Sequence, residues 1–140
     1  MKKHSTNYYN TLITVAEDTK AVKGTRPPSD PEKPTIGSMQ FDMIISAPFN
    51  HTSDDLIFNI HAQRTGIEPS EYEKSQQLFF AKGQPCLRTS VLAKSYGWGI
   101  YANQSGKIKL IDMASEEYTT LVEDTTVSKI GAMRSKKIKS

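Results

Sequence analysis

The chain has 140 residues, a length typical of one compact domain, and we expect residues 1–140 to fold as a single unit. No apolar run approaches the roughly 18 residues that cross a bilayer, so a membrane-spanning protein is excluded. The single cysteine rules out an intramolecular disulfide. Together with an amino terminus that has no apolar stretch, it predicts a cytoplasmic protein.

The formal net charge of +3 is concentrated at the two ends of the chain. Six of the 18 basic residues lie there, and the body between them holds 12 basic and all 15 acidic residues, a net charge of −3. The basic tail at 134–140 is either solvated, which we favour, or binds nucleic acid through its phosphates with little sequence specificity. The terminal cations are Lys2, Lys3, Arg134, Lys136, Lys137 and Lys139.

A strand and a long loop are the first predicted elements. β-Branched and apolar residues at 11–16 favour a strand. The stretch 19–37 contains four prolines and two glycines. Because proline cannot donate to a strand ladder and restricts the residue before it, this stretch predicts an extended loop. A loop of this length is either a mobile connector or a lid or binding arm.

Three helices are predicted in the following stretch. The hydroxyl of Thr52, followed by two aspartates, is a helix start signal, and Gly66 is a typical stop. The short link Gly66-Ile-Glu-Pro69 predicts that the second and third helices form an αα-hairpin. The predicted helices cover 38–45, 52–65 and 69–83.

The second half of the chain predicts strands. Residues 97–102 and 107–112 flank a polar, glycine-containing turn, which indicates a β-hairpin. Ser115 caps a further helix, and a last strand covers about 127–133. This order predicts an α+β fold with a mainly antiparallel sheet of about four strands, covered on one face by three to four helices. The hairpin residues expected on the buried face are Trp98, Ile100, Ile108 and Leu110.

Four short stretches resemble a known family: Thr52–Asp55, Phe80–Arg88 (containing KGQPCLR), Tyr96–Ile100 (YGWGI) and Ala132–Lys136. The family is one of small uncharacterised bacterial proteins, known only as a domain of unknown function. The resemblance spans nearly the whole chain and implies a bacterial origin and a self-contained domain. It implies no activity, cofactor or catalytic residue.

The segment 82–98 carries the strongest chemical signal. It combines three cations with glycines, hydroxyl groups and aromatic rings, which together favour a site for an anion or phosphate. The alternative is that Arg88 pairs with a structural carboxylate and the lysines are solvated. No phosphate-loop or dinucleotide spacing is present. The candidate ligand-binding residues are Lys82, Gln84, Arg88, Ser90, Lys94 and Tyr96.

Cys86 and His61 are candidates for a reactive pair. A nucleophilic thiol needs a base within reach, whereas free cysteines are more often small buried hydrophobic residues, and we favour the structural role. Asp54 and His61 are two helical turns apart, about 10 Å by helix rise, so we predict no metal site. We recognise no catalytic signature and no cofactor motif, which leaves enzymatic activity open.

The sequence does not establish a function. The favoured hypothesis is a small cytosolic binding domain whose groove around 82–98 accepts a small anionic ligand. The alternatives are an enzyme that uses Cys86 or a histidine in that groove, and a nucleic-acid-binding protein that acts through its basic tails.

Overall fold

A computed structural model describes residues 4–134. These residues form four strands and five α-helices, with 3-10 turns at Pro69–Glu71 and Leu87–Thr89. The strands are β1 (Thr11–Thr14), β2 (Trp98–Ala102), β3 (Ile108–Asp112) and β4 (Ser128–Gly131). The helices are α1 (Ile36–Ser46), α2 (Ser53–Thr65), α3 (Tyr72–Phe80), α4 (Val91–Ser95) and α5 (Glu116–Glu123).

The four strands form one mixed sheet in the order β3-β2-β1-β4. The β2–β3 hairpin is antiparallel, and β1 pairs antiparallel with β2 but parallel with β4. The α+β fold with a four-stranded sheet is therefore confirmed. The parallel pair requires a crossover connection, because two strands that run in the same direction cannot be joined by a tight turn, and here that connection is most of the chain.

The main core lies between one face of the sheet and helices α1, α2 and α4. The predicted alternation of the hairpin is confirmed, because Ile100, Ile108 and Leu110 are buried in this core and Trp98 packs against it. The Nε1–H of Trp98 donates to the carbonyl oxygen of Thr25 at 2.8 Å, which satisfies the polar end of the ring.

The opposite face of the sheet is also covered, which corrects the prediction of helices on one face only. Leu12 and Ile111 project from this face and pack with Tyr118 and Leu121 of α5. Gly99 makes the close approach of α5 possible, since a Cβ atom there would lie 2.7 Å from the Tyr118 ring. Alternate residues of β1 and β3 are apolar on both faces, so each face needs a cover.

The helix start signals explain most boundaries. The Thr52 side chain accepts from the amide of Asp55, the Asp55 carboxylate accepts from the amide of Thr52, and α2 ends at Gly66 in the left-handed conformation. The predicted 52–65 helix is thus confirmed. The longest helix within residues 4–134 has 13 residues. No helix in this range has both the length and the apolar character needed to cross a membrane.

Two predicted boundaries shift. The Thr35 hydroxyl accepts from the amide of Ser38, so α1 begins at Ile36 and takes over the last two residues of the predicted 19–37 loop. The third helix ends at Phe80, before Gly83, because the Gln84 side chain donates to the carbonyl oxygen of Phe79 at 2.7 Å. Helix α4 has only five residues and was not predicted.

The first part of the proline-containing segment packs on β2. Gly24 lies under the Trp98 ring, and its amide donates to the Asp112 carboxylate at 2.8 Å. The amide of Thr25 donates to the carbonyl oxygen of Tyr96 at 2.9 Å. Pro27 is buried, whereas residues 28–35 are exposed.

Gly97 and Gly66 test how closely this segment packs. Both have positive φ, +79° and +71°, but a Cβ atom on Gly97 would lie 2.1 Å from the Lys23 carbonyl oxygen, whereas Gly66 has no neighbour within 4 Å. Gly66→Ala should cost only the backbone strain, about 1 kcal/mol of unfolding free energy. Gly97→Ala should cost about 2 kcal/mol or more, because the segment must also move. Urea denaturation measures both, and equal costs would contradict the tight packing.

Candidate functional site

A cavity of about 480 Å³ lies between α1, α2, α3 and the 85–91 segment. Three positions on α2, Ile57, Ile60 and Arg64, face it at a helical spacing that places them on one side of the helix. The volume falls within the range of about 300–1,000 Å³ typical of small-molecule sites. The apolar residues that line it are Ile36, Ile57, Ile60, Phe79, Pro85, Leu87 and Val91.

The wall between α1 and α4 depends on Gly37. A Cβ atom there would lie 2.4 Å from a methyl carbon of Val91. Because glycine lacks that atom, the two helices approach closely enough for Ile36 and Val91 to lie side by side at the cavity. Both side chains remain partly exposed, at 49% and 40%. They form an apolar part of its rim.

Gln40 and Ser90 place polar groups in this apolar wall. The Ser90 hydroxyl donates to Oε1 of Gln40 at 2.6 Å and accepts from the amide of Leu92 at 3.2 Å. Both side chains are buried, with exposed fractions of 7% for Gln40 and 5% for Ser90. Ser90 therefore caps α4 and holds the Gln40 amide in one orientation.

His61 is part of an aromatic wall. Its ring lies 4.5 Å from the Phe79 ring, centre to centre, and both residues line the cavity. Phe58 lies behind them at 6.3 Å from His61 and 5.7 Å from Phe79. A planar or aliphatic ligand can pack against this surface.

Arg64 stands between two cavities. It lines the first cavity and also a second one of about 890 Å³ under the proline-containing segment. Its Nη1 donates to the carbonyl oxygen of Pro34 at 3.2 Å, and the side chain is otherwise exposed. The second cavity is also lined by Pro27, Lys33 and Tyr96.

The charge around the cavities has one sign. Arg64 and Lys33 are cations, His61 is titratable, and no Asp or Glu is among the described residues that line either cavity. A guanidinium offers a fixed fork of donors that suits carboxylate or phosphate. The site therefore favours an anionic group at the Arg64 end.

The predicted site residues fall into three groups. Ser90, Cys86 and His61 line the first cavity, and Tyr96 lines the second. The structure does not bring the three predicted cations together in either cavity. The residues that line neither cavity are Lys82, Gln84, Arg88 and Lys94.

Arg88 binds the end of the sheet. Its Nε donates to the carbonyl oxygen of Gly131 at 2.7 Å, and its backbone oxygen accepts from the amide of Met133 at 2.9 Å. The expected alternative partner, a structural carboxylate, is replaced by a backbone carbonyl. Lys82 is exposed and Lys94 is partly exposed.

Cys86 contacts Tyr8. The Tyr8 hydroxyl and the Cys86 sulfur lie 3.4 Å apart. Burial, together with the interaction with Cys86, raises the pKa of Tyr8 to about 12, while the charge of Arg88 acts to lower it. Tyr8 is therefore neutral at physiological pH and available as a donor to the sulfur.

Asp54 fixes the amino-terminal segment to α2. Its carboxylate accepts from the Ser5 hydroxyl at 2.8 Å and from the amide and hydroxyl of Thr6 at 2.7 Å each. The Asn7 side chain accepts from the Asp54 amide at 2.8 Å. Within residues 4–134, no three His, Cys, Asp or Glu side chains are grouped so that they could hold a metal ion.

The basic tails lie mostly outside the described residues. Lys2, Lys3 and the three lysines after Arg134 fall there. Arg134 itself forms an ion pair with Glu17. The nucleic-acid hypothesis thus stays a prediction from the sequence.

Gln40 and Arg64 were not among the site residues predicted from the sequence. The spacing of Ile57, Ile60 and Arg64 on a predicted helix is a signal that could have found Arg64. Gln40 lies between apolar residues of α1, and only the packing of α4 against α1 shows that it faces a cavity.

The fold and the cavity define a small α+β protein with a ligand-sized apolar site. Residues 3–138 match the family of unknown function DUF6157, and the chain belongs to this family. No curated protein and no solved structure matches the chain. The expected membership of a family without an assigned function is confirmed, and its function is unknown.

The raised pKa of Tyr8 predicts a loss of stability in alkali. Its ordinary value is 10.0 and its value in the fold is about 12. Between these pH values the folded chain keeps a proton that the unfolded chain has lost, so the free energy of unfolding falls as the pH rises. Tyr8→Phe should remove this part of the alkaline decline in urea denaturation. Tyr9→Phe, at an exposed position, is the control, and an unchanged decline in Tyr8→Phe would contradict the assignment.

Proposed function

We propose that this protein is a binding domain for a small organic anion with an apolar body. The observation that carries the proposal is the 480 Å³ cavity, whose lining is mainly apolar and includes Arg64 but no carboxylate. The apolar part of the ligand packs among Ile57, Ile60 and Phe79. The anionic group lies at Arg64.

The apolar walls supply most of the affinity. Transfer of one methylene group from water into an apolar site contributes about 0.8 kcal/mol. A chain of several carbons therefore gains several kcal/mol, part of which offsets the entropy lost on binding. The exposed Arg64 adds less, because solvent screens an ion pair at the rim. Its main effect is selection for anions.

In this proposal the cation that meets the ligand comes from a different element than the sequence predicted. Segment 82–98 supplies one wall of the cavity through Cys86, Ser90 and their neighbours, and α2 supplies the cation. Lys82 and Lys94 have no part in this proposal. The anionic class of ligand expected from the sequence is kept.

A cysteine-dependent enzyme is the second candidate. It is favoured by one observation, that Cys86 and His61 line the same cavity. A bound ligand could then meet both a thiol and an imidazole, the pair that thiol nucleophiles need. The contact between Cys86 and Tyr8 supports the structural role instead.

We also propose a bacterial origin and a cytoplasmic location. The first is supported by the family resemblance of the KGQPCLR and YGWG stretches. The second is supported by a single cysteine, which forms no intramolecular disulfide.

Eight-carbon probes test the binding proposal. Octanoate and octyl phosphate carry an anionic group on the apolar chain, whereas 1-octanol does not. By calorimetric titration, we expect both anions to bind about fivefold more tightly than 1-octanol, because one rim ion pair contributes at most about 1 kcal/mol. Arg64→Met should reduce the affinity for the anions to that for 1-octanol.

Lys82→Met is the matched control for Arg64→Met. It also removes one exposed cation, but from a residue that lines neither cavity. We expect its affinity for octanoate to equal that of the native protein. Equal losses in both variants would indicate a general charge effect and contradict a site at Arg64, and failure of all three probes to bind would contradict the proposal itself.

Alkylation by iodoacetamide tests the enzyme candidate. If His61 activates Cys86, the native thiol should react at neutral pH at least as fast as in the unfolded chain, and His61→Asn should slow the reaction about tenfold or more. Mass spectrometry of quenched samples gives both rates. Slow labelling of the native protein with fast labelling after denaturation would leave Cys86 a structural residue.

A further inference from the structure

We infer that Gln40 is a specificity-determining residue of the cavity, and that the ligand carries a carbonyl or similar acceptor that receives its side-chain N–H. The inference rests on the proposed function, since it concerns the same cavity. It adds a second polar group to the ligand, separate from the anionic group at Arg64.

Only one end of the Gln40 side-chain amide has a hydrogen-bond partner within the described part of the chain. Its Oε1 accepts from Ser90, but its Nε2 has no hydrogen-bond partner among residues 4–134. The residue is only 7% exposed and lines the cavity. A primary amide has two N–H donors, and the Nε2 atom of Gln40 is not fully buried, so a group in the cavity can reach it. A ligand acceptor in the cavity would satisfy one of them.

Ser90 determines which end of the amide faces the cavity. Its oxygen already accepts from the amide of Leu92, and its single proton goes to Oε1 of Gln40. If the amide were rotated by half a turn, the Ser90 proton would lose its acceptor. The observed orientation therefore presents N–H donors to the ligand.

The two threonines that line the cavity do not compete for this role, because the hydroxyl protons of Thr65 and Thr89 go to the backbone oxygens of His61 and Cys86. The neighbouring walls are formed by Ile57, Ile60 and Leu87, which carry no side-chain acceptor. A ligand that is apolar throughout would leave the N–H groups of Gln40 without water and without a partner. A carbonyl at the right distance along the chain avoids that cost. The ligand class is an oxo acid, with an apolar chain between its carbonyl and its anionic group.

Keto derivatives of octanoate test the inference. We expect at least one of the 5-oxo, 6-oxo and 7-oxo isomers to bind about fivefold more tightly than octanoate itself, which is the net gain of one hydrogen bond. Gln40→Leu should abolish this preference, and Gln77→Leu, at an exposed position of α3, should retain it.

A spectroscopic measurement avoids dependence on a variant that fails to fold. In the native protein, the side-chain N–H resonances of Gln40 should move downfield with the preferred keto isomer and move less with octanoate. If octanoate binds through Arg64 but no keto isomer binds more tightly, or the preference survives in Gln40→Leu, the inference is overturned and the proposed function stands. If none of octanoate, octyl phosphate, 1-octanol and the keto isomers binds, both fail.

Discussion

The pairing of β1 on both sides is the constraint on which the rest of the fold depends. This four-residue strand is the only link between the β2–β3 hairpin and β4 within the described sheet. All of its partners lie more than 80 residues further along the chain, so the sheet forms only after a large loop has closed. Folding is then expected to be slow, because non-local pairing costs chain entropy before contacts repay it.

The cavity is formed by the helices that lie between β1 and β2 in the chain. Helices α1, α2 and α4 bury one face of the sheet, while α3 packs on α2 through Phe58, Ala62 and Phe80. The 85–91 segment returns from α3 to the sheet and leaves space between these two clusters. A concave, mainly apolar site of this volume is typical of small-molecule binding sites.

Local signals predicted most of the elements, though not the five-residue helix α4, and long-range packing decided the rest. The caps at Thr52 and Ser115 and the turn at 103–106 specify their neighbours directly. In contrast, α5 covers the second face because Leu12 and Ile111 are apolar there, which becomes visible only once the strand register is known. The placement of Arg88 differs from the prediction for the same reason. Sequence proximity put Arg88 in one groove with Cys86 and Ser90, whereas in the structure these two line the first cavity and Arg88 reaches the carbonyl oxygen of Gly131.

Arg88 also has a consequence for association between chains. Strand β4 is at the edge of the sheet, and an exposed edge invites strand addition from another molecule. The side chain and backbone of Arg88 occupy the outward-facing groups of Gly131 and Met133, and the exposed Lys129 lies two residues before Gly131 on the same strand. A second chain that paired with β4 would have to displace both hydrogen bonds and desolvate a lysine. The residue that the sequence assigned to an anion thus protects the sheet against intermolecular pairing.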